Sequence, residues 1–127
     1  MRIHPDLPGR KEEGQAAHTP AAASWVDGEK ASIGYLRMAP GTFSKPHWHD
    51  EEQFIYVTKG RARVAVEGEA GEVGPGALVH FPPRAVHEVM ALEEPVEFLL
   101  SLHPARSGGK VSAFEAEGEK ARSRLRG

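Results

Sequence analysis

The sequence predicts an all-β chain closed into one small antiparallel β-barrel or sandwich, and three observations carry that prediction. Between residues 22 and 104, short runs of β-branched, aromatic and aliphatic residues recur. Turn-forming pairs cut these runs at intervals of roughly six to twelve residues. No segment between them repeats with the 3.6-residue period of a helix, so the crossover helices that parallel strands need are missing and the strands must pair antiparallel. A chain of 127 residues has room for one domain around one core.

Taken in order, residues 1–21 mix Pro, Gly, Ala and charges without a period of 2 or 3.6, which predicts an N-terminal arm; His4 and His18 fall in it and are incidental. Strands are expected at about 22–27, 31–38, 43–49, 53–58, 61–67, 70–73, 77–81, 86–92 and 96–103. Asp27-Gly28, Pro40-Gly41, Lys59-Gly60, Glu67-Gly68, Pro75-Gly76 and Pro82-Pro83 punctuate them, because Gly tolerates positive φ and Pro pre-sets φ and ends pairing. The barrel therefore spans 22–104. Residues 105–127 are a charged tail or a short helix interrupted by Gly118.

Composition excludes several classes of function. Lys plus Arg number 16 against 18 for Asp plus Glu, a formal charge of -2, so no basic excess exists to hold a nucleic-acid backbone. No apolar run reaches the ~18 residues of a membrane span, and the N-terminus lacks a signal peptide's apolar stretch, so no membrane partner and a cytoplasmic location are expected. Zero cysteines removes disulfides, thiolate metal sites and thiol nucleophiles together. Histidine and side-chain oxygens remain as metal ligands.

The histidines are concentrated. His47 and His49 stand two apart in KPHWHDEEQ, which in an extended segment puts both on one face with Trp48 on the other. Such a pair suits two adjacent metal ligands, or equally a core or surface pair with no ion. If the chain doubles back at 50–52, Gln53 comes beside them, with Ile55 and Val57 on the same inward face and Phe54 and Tyr56 on the other. Taken alone, a Gln in such a place more often makes only a hydrogen bond inside the barrel. Glu52 is an odd step away and should face outward. His87 follows the Pro82-Pro83 turn at the start of another strand.

These segments read Gly41-x5-His47-x-His49-x3-Gln53-x6-Gly60 and Gly76-x5-Pro82-x-Arg84-x2-His87-x3-Ala91. Together they resemble the two motifs of the cupin family. The match covers 41–91, and the flanking strands would complete the family's jelly-roll double-stranded β-helix. Gln53 stands where most members have Glu, Arg84 where Gly is usual, and Ala91 where Asn is usual. The resemblance implies that His47, His49, Gln53 and His87 hold one divalent metal ion (Zn, Mn, Fe or Ni), with open positions for water or substrate. Three neutral imidazoles and a neutral amide would leave the ion's charge uncompensated, which favours Lewis-acid chemistry on anionic oxygens over oxidising chemistry.

An enzyme acting on a small, oxygen-rich anionic metabolite is therefore expected, an isomerase or lyase of sugar-acid type, since the ligand set resembles that of the uronate-linearising cupins. The alternatives are a metal-dependent dioxygenase and a non-catalytic cupin that holds a metabolite or metal. His80 and His103 are candidate acids or bases because imidazole titrates near neutrality, and Arg106 lies where such proteins often carry a pocket arginine. Tyr35, Arg37 and Tyr56 are further pocket candidates, although sheet residues of these types are more often cross-strand packing or surface, and Arg61 and Arg63 read as a solvated edge face. Trp25, Phe43, Trp48, Phe54, Phe81 and Phe98 should supply aromatic core or a subunit contact. Outward Phe54 and Tyr56 would leave an apolar patch, so a homodimer is expected.

Overall fold

A computed structural model describes residues 1–10 and 19–106, and those residues form eight strands and no helix. The strands are β1 (Ala22–Asp27), β2 (Ser32–Met38), β3 (Glu52–Lys59), β4 (Ala62–Val66), β5 (Glu69–Val73), β6 (Leu78–Phe81), β7 (His87–Ala91) and β8 (Val96–His103). They make a five-stranded sheet in the order β1-β2-β8-β3-β6 and a three-stranded sheet in the order β5-β4-β7, with every pairing antiparallel. The expected helix or tail at the C-terminus lies outside the described residues.

Among the described residues, the strand expected at 43–49 is the one element that differs. In its place are isolated bridges, Phe43 to Met90 and His47 to His87. Between them the 43–47 side advances four residues while β7 advances three, so the segment bulges by one residue against β7. Pro46 has no N–H to give a ladder. Ser44 compensates: its backbone N donates to Val89 O at 2.9 Å, and its Oγ accepts from Val89 N at 2.9 Å.

Alternation sorts the side chains as expected. On β3, Gln53, Ile55 and Val57 are buried while Tyr56 is exposed, and on β8, Val96, Phe98 and Leu100 are buried while Leu99 and His103 are exposed. The core between the sheets is Leu36, Met38, Ile55, Val57, Ala62, Val64, Phe81, Val89, Val96, Phe98 and Leu100, with Trp25 packed against it. Trp48 packs instead with Ala65, Val86 and Met90 in a second cluster, and Phe54 lies against His80 on the outer face. Pairing register places one row across the inner face of the large sheet: Asp27, Ser32, Leu102, Gln53 and Phe81. Residues 1–10 touch this sheet at the β1–β2 end, where Arg10 O accepts from Ser24 Oγ and Pro8 O from Arg37.

Candidate metal centre

His87 opens β7, and His47 faces it across a bridge in which each backbone N donates to the other's carbonyl, at 3.1 and 2.9 Å. That reciprocal pair brings the two side chains out together, with ring centroids 4.3 Å apart. His49, two residues on, stands 4.9 Å from His87 and 5.9 Å from His47. One nitrogen from each of the three lies within 4.8 Å of the others. Gln53 joins them from β3, its Oε1 2.9 Å from His49 Nε2. All four side chains are buried, His87 most deeply at 2 % exposure.

The tautomers follow from the backbone. His47 Nδ1 is 2.5 Å from Lys45 O, His49 Nδ1 3.0 Å from Glu51 O, and His87 Nδ1 2.9 Å from Ala85 O. A carbonyl only accepts, so each Nδ1 carries the proton and each Nε2 keeps its lone pair. Each ring is thus pinned by a carbonyl two residues away, which fixes its orientation within the cluster. The His49–Gln53 contact then sets one acceptor against another. A proton on His49 or a turned amide would resolve it, and so would a cation shared by the two atoms, without either change. Nitrogen and oxygen donors with no thiolate suit a divalent ion of Mn, Fe, Ni or Zn type, so the residues present fit such a group.

The structure does not bring the other predicted candidates to this cluster. His80 pairs in register with Phe54, so it lies on the outer face, stacked on that ring at 4.6 Å and bonded to Glu52 at 2.8 Å. His103 pairs with Glu52 and shares that outer face. Arg106 is on the inner side but engaged: its Nε and Nη2 donate to Asp27 at 2.7 and 2.9 Å, its guanidinium covers Trp25, and its backbone N donates to Ser32 Oγ. Asp27 stands three strand spacings from Gln53, about 14 Å along the sheet. Tyr35 bonds Thr58 and Glu97 through its hydroxyl, and burial pushes its phenol pKa up. Arg37 lies over the Tyr35 ring, and Arg61 pairs with Glu72.

Two acids near the cluster escaped sequence reasoning. Glu88 follows His87 and is fully buried, but it pairs with Ala65 and so faces away from the histidines. Glu51 is different: its Oε2 lies 3.5 Å from His49 Nδ1, and both residues are buried. A run of three acids gives no sign of which one turns inward. Beside the cluster a cleft of about 750 Å³ opens between the edge strands β5 and β6, over Val64, Val66 and Val79 with Arg84 on its rim. Val66 is His87's partner in register, yet none of the four clustered side chains lines the cleft.

Comparison with known proteins agrees with this fold. Residues 34–102 match the family described as the cupin domain. Oxalate decarboxylase OxdC of Bacillus subtilis is 35 % identical over an alignment of 100 residues that covers 75 % of this chain and 26 % of that protein. An uncharacterized protein of Streptomyces coelicolor is 25 % identical over 96 residues, 76 % of this chain and 91 % of that one. Among solved structures, a variant of the same Bacillus subtilis enzyme superposes with a TM-score of 0.73 at 26 % identity, covering 85 % of this chain and 31 % of that one. Another, described for the enzyme's Mn(II) centres, gives 0.71 at 27 %. This chain therefore spans only about a quarter of the curated decarboxylase it matches.

Proposed function

Because this chain belongs to the cupin family, we propose that it binds one divalent metal ion through His47, His49, Gln53 and His87 and uses it on a small carboxylate anion, in lyase chemistry. The observation that carries the reading is the convergence of three buried imidazoles: each Nδ1 is tied to a backbone carbonyl, and one nitrogen of each ring lies within 4.8 Å of the others. Manganese is supported by the Mn(II) centres named for a similar structure. Lyase over isomerase chemistry is supported by the likeness to a decarboxylase, a likeness to about a quarter of that enzyme.

When bound, the ion would supply Lewis acidity to a carboxylate oxygen. The chain's own residues do the rest. The carbonyls of Lys45, Glu51 and Ala85 hold the rings so that no rotamer search accompanies binding. Phe81, with its ring 4.8 Å from His87, and Ile55, two residues along the inner face from Gln53, keep the surroundings dry, which strengthens every charge interaction there. Gln53 contributes an oxygen without a charge, leaving more positive potential for an anion than a Glu would.

Elemental analysis of the purified chain tests the metal. Near one ion per chain is expected, falling to well under half in His47→Ala and His87→Ala; a metal-free parent would sink the reading. Turnover is then sought with oxalate and related small carboxylates by carbon dioxide release, with unsaturated uronates by absorbance, and with oxygen uptake recorded throughout. Uptake coupled to product would replace lyase with dioxygenase chemistry, and a loaded protein that turns over none of these would favour the non-catalytic cupin. The expected homodimer has a surface in this reading, the outer face carrying Leu99, Tyr56 and Leu78 in one row.

A further inference from the structure

We propose that Glu51 is a positioning residue that supplies, from behind His49, the negative charge that Gln53 does not bring to the metal. The inference rests on the reading of the four-residue cluster as a metal centre and changes its electrostatics.

Three consecutive acids, Asp50, Glu51 and Glu52, follow the H-x-H pair, and the fold sorts them. Asp50 points to solvent and pairs with Arg84 at 3.1 Å, its side chain 74 % exposed. Glu52 lies on the outer face of β3 and pairs with His80. Only Glu51 turns inward, to 9 % exposure, and its carboxylate stops 3.5 Å from His49 Nδ1. The same Nδ1–H donates to Glu51's own carbonyl at 3.0 Å, so one residue holds the ring by its backbone and faces its N–H with a charge.

A carboxylate behind a ligating imidazole fixes the ring and makes its other nitrogen a stronger donor. Both groups are buried, so solvent screens the interaction little. Most cupins place a carboxylate directly among the ligands. In this chain that position is an amide, and the carboxylate stands one imidazole further back. An ion held there would keep an uncharged amide among its ligands, while part of its charge would be balanced through His49.

Mn(II) affinity, measured by competition with a chromophoric chelator, tests this on the parent, Glu51→Gln, Gln53→Glu and the double variant, with urea denaturation of each metal-free protein alongside. Glu51→Gln keeps the shape and the carbonyl contact, so the metal-free protein should still unfold in one cooperative transition while affinity falls about 10- to 100-fold. The double variant should recover most of that loss, because the charge returns as a direct ligand. Unchanged affinity in Glu51→Gln would overturn the inference and leave the metal centre standing. A loss that Gln53→Glu does not restore, or one accompanied by loss of the cooperative metal-free transition, would make Glu51 a structural residue and also overturn it. A parent that binds no Mn(II) or other divalent ion would remove the metal centre itself.

Discussion

Arg84 illustrates how single residues carry more than their side chains. Its φ is +64°, in the left-handed region where a Cβ is costly, and its backbone N donates to His49 O at 2.8 Å. The usual Gly at this motif position is thus explained by backbone geometry, and the Arg here keeps that geometry with its guanidinium against Asp50. Asp27 is the titrating residue whose environment is best defined. The Arg106 hydrogen bond and charge, with a bond from Ser32, outweigh burial and hold its carboxyl below its ordinary 3.8. A lowered folded-state pKa contributes stability that is present above the unfolded value and is lost as pH falls through the folded one. Asp27→Asn should therefore be less stable than the parent at pH 7 by no more than about 1 kcal/mol, because the pair is partly exposed. The gap should hold down to about pH 5 and close below about pH 4, as followed by urea denaturation across that range. A gap independent of pH would deny the ion pair its role.

At the scale of elements, the departure at 43–49 matters most. An ideal strand there would have continued the ladder on β7, but Pro46 and the one-residue bulge break it, and Ser44 takes over one ladder bond. The bulge lies immediately before His47, so it sets where the first two histidines emerge relative to His87. The neighbouring turns are more regular. Glu67 and Gly68 both have positive φ, which makes the β4–β5 connection a two-residue hairpin turn of the kind whose twist matches its strands. Gly60 has φ +77° between β3 and β4, and an added Cβ would collide with the Pro95 carbonyl. Gly60→Ala should cost at least about 2 kcal/mol, from left-handed strain plus displacement of backbone. A urea midpoint equal to the parent's would show that the turn can move away from Pro95.

For the whole molecule, the two sheets bury their apolar faces on each other, but the large sheet's outer face is only partly covered by residues 1–10. Leu99, Tyr56 and Leu78 form a row across three adjacent strands of it and are among the exposed large hydrophobics, with Leu78 at 64 %. Such a row on a sheet suits association with a second copy. Sedimentation or light scattering of the parent should give twice the chain mass, and Tyr56→Glu should return it to one. A parent of single-chain mass would leave this face without its proposed partner. The described residues include no helix long and apolar enough to cross a membrane.

Strand alternation and turn residues were enough to read the all-β fold, most strand positions, and the inward facing of Gln53, Ile55 and Val57, because a period of two depends only on local backbone geometry. The spacing of His47, His49, Gln53 and His87 was legible for the same reason, together with the family-like motif around it. What only the tertiary structure decided depends on which strands lie side by side. Register across β3, β6 and β8 sends His80 and His103 to the outer face, and Asp27 on β1 occupies Arg106. The protonated nitrogens of the three histidines depend on where carbonyls of the folded loops fall. Among Asp50, Glu51 and Glu52, the inward one is chosen by the path of an irregular loop, where no period applies. The four clustered side chains were therefore readable from the sequence, and the charge that stands behind them was not.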